Sequence, residues 1–191
     1  MNRRTYLKGI GAALTLGLVS VPAYKWISMN RPVNAAVLKE KEHLIAELAE
    51  LIIPETDTPG AKRAGVAAYI IGVMGNCMDV RQQNKFVGGI EKLEEYCLAH
   101  YEKEFLMCSE SQKQEVLTYF ADHDGYPFAI LNKINNKFLG GSFYNTLKNL
   151  TVEGYCTSML GATQGLAYDY IPGTFEACIP LRPGQKSWAT K

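Results

Sequence analysis

Five cysteines, three histidines and one acidic loop are the residues of this chain whose types could do chemistry. Cys77, Cys97, Cys108, Cys156 and Cys178 form no CxxC, and the Cys97/Cys108 spacing has no matching second pair, which argues against a structural zinc site. In an oxidising compartment the thiols could pair, but an odd number leaves at least one free or bonded to another chain. Held inside helices, they would serve equally as small buried hydrophobes. His43, His100 and His123 make neither an HxxEH motif nor the Glu-x-x-His pair that di-metal carboxylate bundles repeat. His100 with Glu104 one turn on could touch a metal, although a surface ion pair is the simpler expectation. His43 falls among Glu40, Glu47 and Glu50 on a wet helix face, and His123-Asp124-Gly125 reads as a helix-ending turn. Glu55 and Asp57 could offer two carboxylates to a cation, yet Asp57 and Thr58 bonding the loop's own backbone is favoured. No nucleophile with its base, phosphate-binding glycine loop or dinucleotide fingerprint is present. Nothing here asks for a catalytic residue, a metal or a cofactor bound by this chain.

The N-terminus carries a different signal. Arg3-Arg4-Thr5-Tyr6-Leu7-Lys8 precedes an uncharged stretch from Gly9 to Tyr24, the layout of a twin-arginine export signal. The stretch is shorter than the roughly 18–20 residues that span a bilayer, and its glycines dilute it. Val21-Pro22-Ala23 and Asn34-Ala35-Ala36 are the candidate cleavage patterns. Arg3, Arg4, Tyr6, Leu7 and Lys8 are thus the residues expected to meet the twin-arginine translocase, with a periplasmic destination. No acid precedes Glu40, so removal of the signal and Lys25 leaves 16 bases against 19 acids, a mildly acidic domain. Such a domain offers no footprint for a phosphate backbone, and nucleic acid is excluded as a partner.

The elements that would position these residues are helical. After a signal segment at 1–23 and a connector at 24–36, apolar stripes recur at helical spacing through a domain at 37–167. The first helix runs from Val37 to Ile52, and a second from Val66 to about Met78 is apolar almost all round, as a central helix would be. Asp79 caps a third that extends to about Phe105, interrupted at Gly88-Gly89 by a kink or another backbone. Ser109 and Gln112 form a capping box for a fourth; Pro127 to Phe138 make a fifth; Ser142 opens a sixth. Between the first two, Pro54, Glu55, Asp57, Pro59 and Gly60 shape a rigid loop in which Thr58-Pro59-Gly60-Ala61 suits a type II turn. Gly154, Ser158, Gly161 and Gly165 form a strip of small residues for close packing, against the chain's own core or another chain. The tail at 168–191 loses periodicity, and its aromatics need something to lie against. The fold class is therefore all-α, an irregular bundle of about six helices with a non-periodic C-terminal tail.

Ile53 to Ala61 with Ala64-Gly65-Val66, Thr151 to Ser158 with Gly161-Ala162-Thr163, and Pro172-Gly173 through Cys178-Ile179-Pro180 together resemble the gluconate 2-dehydrogenase subunit 3 family. The resemblance runs from about Leu44 to Trp188. It implies a non-catalytic small subunit beside a large glucose-methanol-choline type oxidoreductase that binds FAD and oxidises a sugar or sugar acid. A cytochrome c subunit carrying haem c would take the electrons. The small subunit would aid maturation of the large one and carry the export signal for both. On this reading Gly154, Tyr155, Ser158, Gly161, Pro172, Phe175, Cys178 and Trp188 contact the large subunit, and Cys178 bonds a cysteine there. Cys156 as an internal partner for Cys178 is the alternative. The competing function is a stand-alone exported helical protein that binds a metal or small ligand through Glu55, Asp57 or His123.

Overall fold

The computed structural model describes residues 35–123, 141–171, 173, 178 and 180–189. The signal segment and the helix expected at 127–138 lie outside the described residues. Six α-helices are present among those described: α1 (Ala35–Glu40), α2 (Glu42–Ile52), α3 (Val66–Asn76), α4 (Val80–Tyr101), α5 (Glu110–His123) and α6 (Phe143–Thr157). A 3-10 turn at Phe105–Met107 and a π-helical turn at Gly161–Gly165 complete the set, with no strand among the described residues. The all-α expectation holds.

The apolar helix α3 takes the central place that its composition predicts, packing against α1, α2, α4 and α6. Val66, Ile70 and Met74 are buried on it, and they meet Leu44, Ile45 and Leu48 of α2 and Leu147 and Leu150 of α6 in one core. Such close-packed burial is the dominant stabilising term. The expected first helix is broken at Lys41 into α1 and α2, and the Lys41 ammonium reaches back to the Glu94 carboxylate on α4 at 2.7 Å.

Both expected caps form. The Asp79 side chain accepts from the Gln82 backbone N–H at 2.8 Å, and Gln82 Oε1 accepts from the Asp79 N–H at 3.1 Å. Ser109 and Gln112 make the same reciprocal pair ahead of α5. The end of α4 differs from expectation. Glu102 adopts a left-handed φ of 53°, so the helix stops at Tyr101 and the chain turns back. That reversal brings Phe105 into the core from the 3-10 turn, fully buried.

Gly88-Gly89 breaks nothing, since α4 runs through both. What approaches Gly89 is a side chain: the Phe143 ring occupies the space a Cβ would take, while Gly88 faces open space. Phe143 in turn packs on Phe86 and Phe120, with ring centroids 5.5 and 6.2 Å away. The two adjacent glycines should therefore respond in opposite directions. Gly89→Ala overpacks the α4/α6 contact and costs about 1–3 kcal/mol, whereas Gly88→Ala gains about 0.5–1 kcal/mol of helix propensity. Urea unfolding of the two variants measures both signs.

Candidate functional site

The loop at 54–61 and the segment at 154–165 are far apart in the chain, and Tyr155 joins them. Its hydroxyl donates to the Pro59 carbonyl at 2.8 Å in a buried hydrogen bond between residues 96 positions apart. Pro59 and Gly60 are buried with it, while Pro54, Glu55 and Asp57 are exposed. The loop has few backbone bonds of its own, because two of its residues are prolines without an N–H. A side chain supplies the deficit: Glu50, at the end of α2, accepts from the Glu55 N–H and the Lys62 N–H, both at 2.8 Å. Backbone bonds from Ala61 to Ile53 and from Val66 to Ala61 close the loop onto α2 and α3.

Gly60 is required here for a different reason from the one its sequence suggests. Its φ is not positive, since Gly65, Gly141 and Gly184 are the glycines in the left-handed region among the described residues. The expected type II turn does not form. Instead the Glu50 carboxylate lies where a Gly60 Cβ would be, so only glycine lets the clamp close.

Each residue of Glu153-Gly154-Tyr155 has its own task in this lock. Gly154 makes room for Tyr69 of α3, whose ring carbon would stand 2.6 Å from a Cβ. Burial first, then the neighbouring Glu153 carboxylate, pushes the pKa of the Tyr69 hydroxyl up. Beyond α6, the Ser158 hydroxyl donates to the Tyr155 carbonyl at 2.7 Å and accepts from the Gly161 N–H at 2.9 Å. A Cβ at Gly161 would overlap the Tyr155 carbonyl, and one at Gly165 its hydroxyl. The π-helical turn thus wraps Tyr155. Gly154, Tyr155 and Gly161, expected at a partner contact, are buried in the chain's own core, and the hydroxyl of the half-buried Ser158 bonds within the turn. Of the remaining expected contacts, Cys178 is an exposed free thiol and Trp188 is half exposed. The tail returns at that point, Ala167 N–H donating to the Ser187 carbonyl and Ala189 N–H to the Ala167 carbonyl, each at 2.8 Å. Pro172 and Phe175, like Arg3, Arg4, Tyr6, Leu7 and Lys8, lie outside the described residues.

The residues named for ligand chemistry do not converge. The Glu55 carboxylate pairs with Arg63 at 2.9 Å, and Asp57 accepts from the Thr56 hydroxyl at 3.0 Å, a side-chain bond inside the loop rather than the expected bond to its backbone. His43 is exposed. His100 makes no surface ion pair with Glu104, because α4 ends between them; its ring stacks on Tyr96 at 3.8 Å. Tyr96 stacks on Tyr119 at 4.4 Å, and Tyr119 on His123 at 4.2 Å, so two histidines cap a column of two tyrosines across α4 and α5. No group of three or more His, Cys, Asp or Glu side chains able to hold a metal occurs among the described residues.

Beside the clamp lies a charged network that the sequence does not announce. Glu47 is bonded by Lys62 and stands 3.4 Å from Lys113, whose buried ammonium also pairs with Glu110 at 2.8 Å. The Lys62 hydrogen bond chiefly, helped by the Lys113 charge and opposed by burial, holds the Glu47 carboxyl below its ordinary 4.5. Lys113 is shifted above its ordinary 10.5, first by Glu110.

Two expectations follow. Tyr155→Phe keeps the ring but leaves the buried Pro59 carbonyl without its donor, costing about 1–3 kcal/mol; urea unfolding gives the loss, and faster hydrogen exchange at the 54–61 amides localises it. A carboxyl whose folded pKa is depressed adds stability that is in place above its unfolded value and disappears as pH falls through the folded one. The Glu47 contribution should therefore be present at neutral pH and lost below pH 4.5. Glu47→Gln should lower the thermal midpoint at pH 7 and shrink the further drop on acidification, read from melts across that range.

No curated protein and no solved structure matches the chain. The family model for gluconate 2-dehydrogenase subunit 3 matches residues 39–173, which include the loop, the clamp, Tyr155 and its π-helical turn. The match covers well over half of the 191 residues, and the chain belongs to the gluconate 2-dehydrogenase subunit 3 family.

Proposed function

We propose that this chain is the non-catalytic small subunit of a periplasmic, FAD-dependent dehydrogenase of sugars or sugar acids. It helps the large flavoprotein subunit mature and takes it, already folded, through the twin-arginine translocase. The observation that carries the reading is the family match over residues 39–173, because membership implies association with a dehydrogenase complex. The paired arginines at Arg3 and Arg4 support the export role. FAD belongs to the large glucose-methanol-choline type subunit, and haem c to a cytochrome subunit that accepts the electrons.

The exposed apolar residues at the C-terminal end support a docking role there. Met159 is 77% exposed, Tyr170 83%, Ile171 75% and Leu181 86%. Large side chains left in water cost less when another protein covers them. The segment from Ser158 to Ala167 is anchored on Tyr155, so Met159 leaves the fold from a fixed base. Cys178, exposed and free, would be the cysteine that bonds the large subunit.

Co-expression of the tagged chain with the large oxidoreductase of its own host tests this. A complex of comparable amounts of the two chains, with a flavin absorption spectrum, is expected; a colourless monomer overturns the reading. Met159→Asp should weaken the complex by roughly tenfold or more while leaving the helical circular dichroism unchanged. Arg3→Lys with Arg4→Lys should hold both chains and their dehydrogenase activity in the cytoplasm.

A further inference from the structure

The two most deeply buried thiols are neighbours. Cys97 faces the core from α4, 0% exposed, and Cys108 stands at the end of the 3-10 turn, 6% exposed. Both belong to the one hydrophobic core, on two elements that pack against each other, and the Cys108 thiol is near enough to act on that of Cys97. The contact is built by the fold: Glu102 reverses the chain, Phe105 anchors the return in the core, and the Cys108 N–H donates to the Phe105 carbonyl at 3.2 Å. Cys108 Sγ lies 3.5 Å from the Glu104 carbonyl, which fixes it at the mouth of that turn. Both are free thiols as they stand.

We propose that Cys97 and Cys108 are the two halves of one intrachain disulfide that closes the turn between α4 and α5. The oxidant is a disulfide, either that of an oxidised dithiol protein or a small one such as oxidised glutathione. Cys108, the less buried, attacks it as thiolate and expels one thiolate; Cys97 then attacks the Cys108 sulfur and expels the second. Two cysteine thiols are oxidised, the donor disulfide is reduced to two thiols, and the two cysteine protons end on them. Burial first, then the adjacent Cys108, pushes the Cys97 thiol up to about 12. So little thiolate is available in the folded core that the pair closes chiefly while the chain folds or opens. The pairing does not depend on the proposed function, and it leaves Cys77, Cys156 and Cys178 as the odd set from which a bond to another chain could be drawn.

The test uses the full chain, refolded in a glutathione redox buffer, blocked with N-ethylmaleimide and digested with trypsin without reduction. The tryptic peptides 93–103 and 104–113 each hold one cysteine of the pair. They should be recovered joined, lighter by two hydrogens than their sum, with Cys178 labelled. Recovery of both as maleimide adducts, or of either joined to a different cysteine, from chain that has regained its helical circular dichroism overturns the proposal. A Cys97→Ala, Cys108→Ala double variant separates the bond from packing. Reductant should lower the urea midpoint of the wild type and of Cys156→Ala, Cys178→Ala, and leave that of the Cys97, Cys108 variant unmoved. A wild-type midpoint indifferent to reductant also overturns the proposal.

Discussion

The buried hydrogen bond from the Tyr155 hydroxyl to the Pro59 carbonyl is the contact on which the rest of the described structure depends. An irregular loop that enters a core brings carbonyls which no helix or sheet ladder satisfies, and each unsatisfied one costs on the order of 1–3 kcal/mol. Here the donor comes from the far end of the chain. Everything near it is shaped to keep that donor in place: Gly154 admits Tyr69, Gly161 and Gly165 admit Tyr155, and the Ser158 hydroxyl holds the turn that passes over it. The Glu50 clamp does the same for the loop, tying two N–H groups to one carboxylate over Gly60.

The charged groups around this lock follow from the same packing. Lys113 is buried, and a buried ammonium is tolerable only where partners replace its water. Glu110 and Glu47 do so, and Glu47 is shared with Lys62 of the loop. The network therefore spans α2, the loop and α5. Exposed pairs such as Glu55 with Arg63 contribute little by comparison, because water and salt screen them.

What could be read in the sequence was what is local. Helical periodicity locates α3 and names Ile70 and Met74 as core, and the capping boxes at Asp79 and Ser109 are written within four residues each. What could not be read depends on partners distant in sequence. Glu50 looks like one more acid on a wet face until the loop folds back over it. Gly60 looks like a turn glycine because Pro59 precedes it, whereas the steric reason lies ten residues upstream. Gly89 is explained only by Phe143, and the stacking of Tyr96 on Tyr119 only by the α4/α5 packing. The small-residue strip was legible as a place of close approach, and the structure decides that the approach is internal.

That decision bears on how the family motif can matter to a partner. Buried in their own chain, Gly154, Tyr155 and Gly161 fix the shape of what is exposed around them. The chain that leaves Tyr155 supplies that link. Ser158 and Thr163 hold the backbone on either side of Met159, and Ala167, just past the π-helical turn, pairs with the returning strip that carries Trp188. Two exposed apolar side chains, Met159 and Trp188, are thus mounted on two segments joined at Ala167. Association loses affinity to every side chain and loop it must first order, so in the proposed docking role an edge prefixed in this way would bind at a smaller entropic cost than a loose tail of the same composition. Under the proposed docking role, the buried motif would serve as the mounting and the exposed side chains around it as the contact.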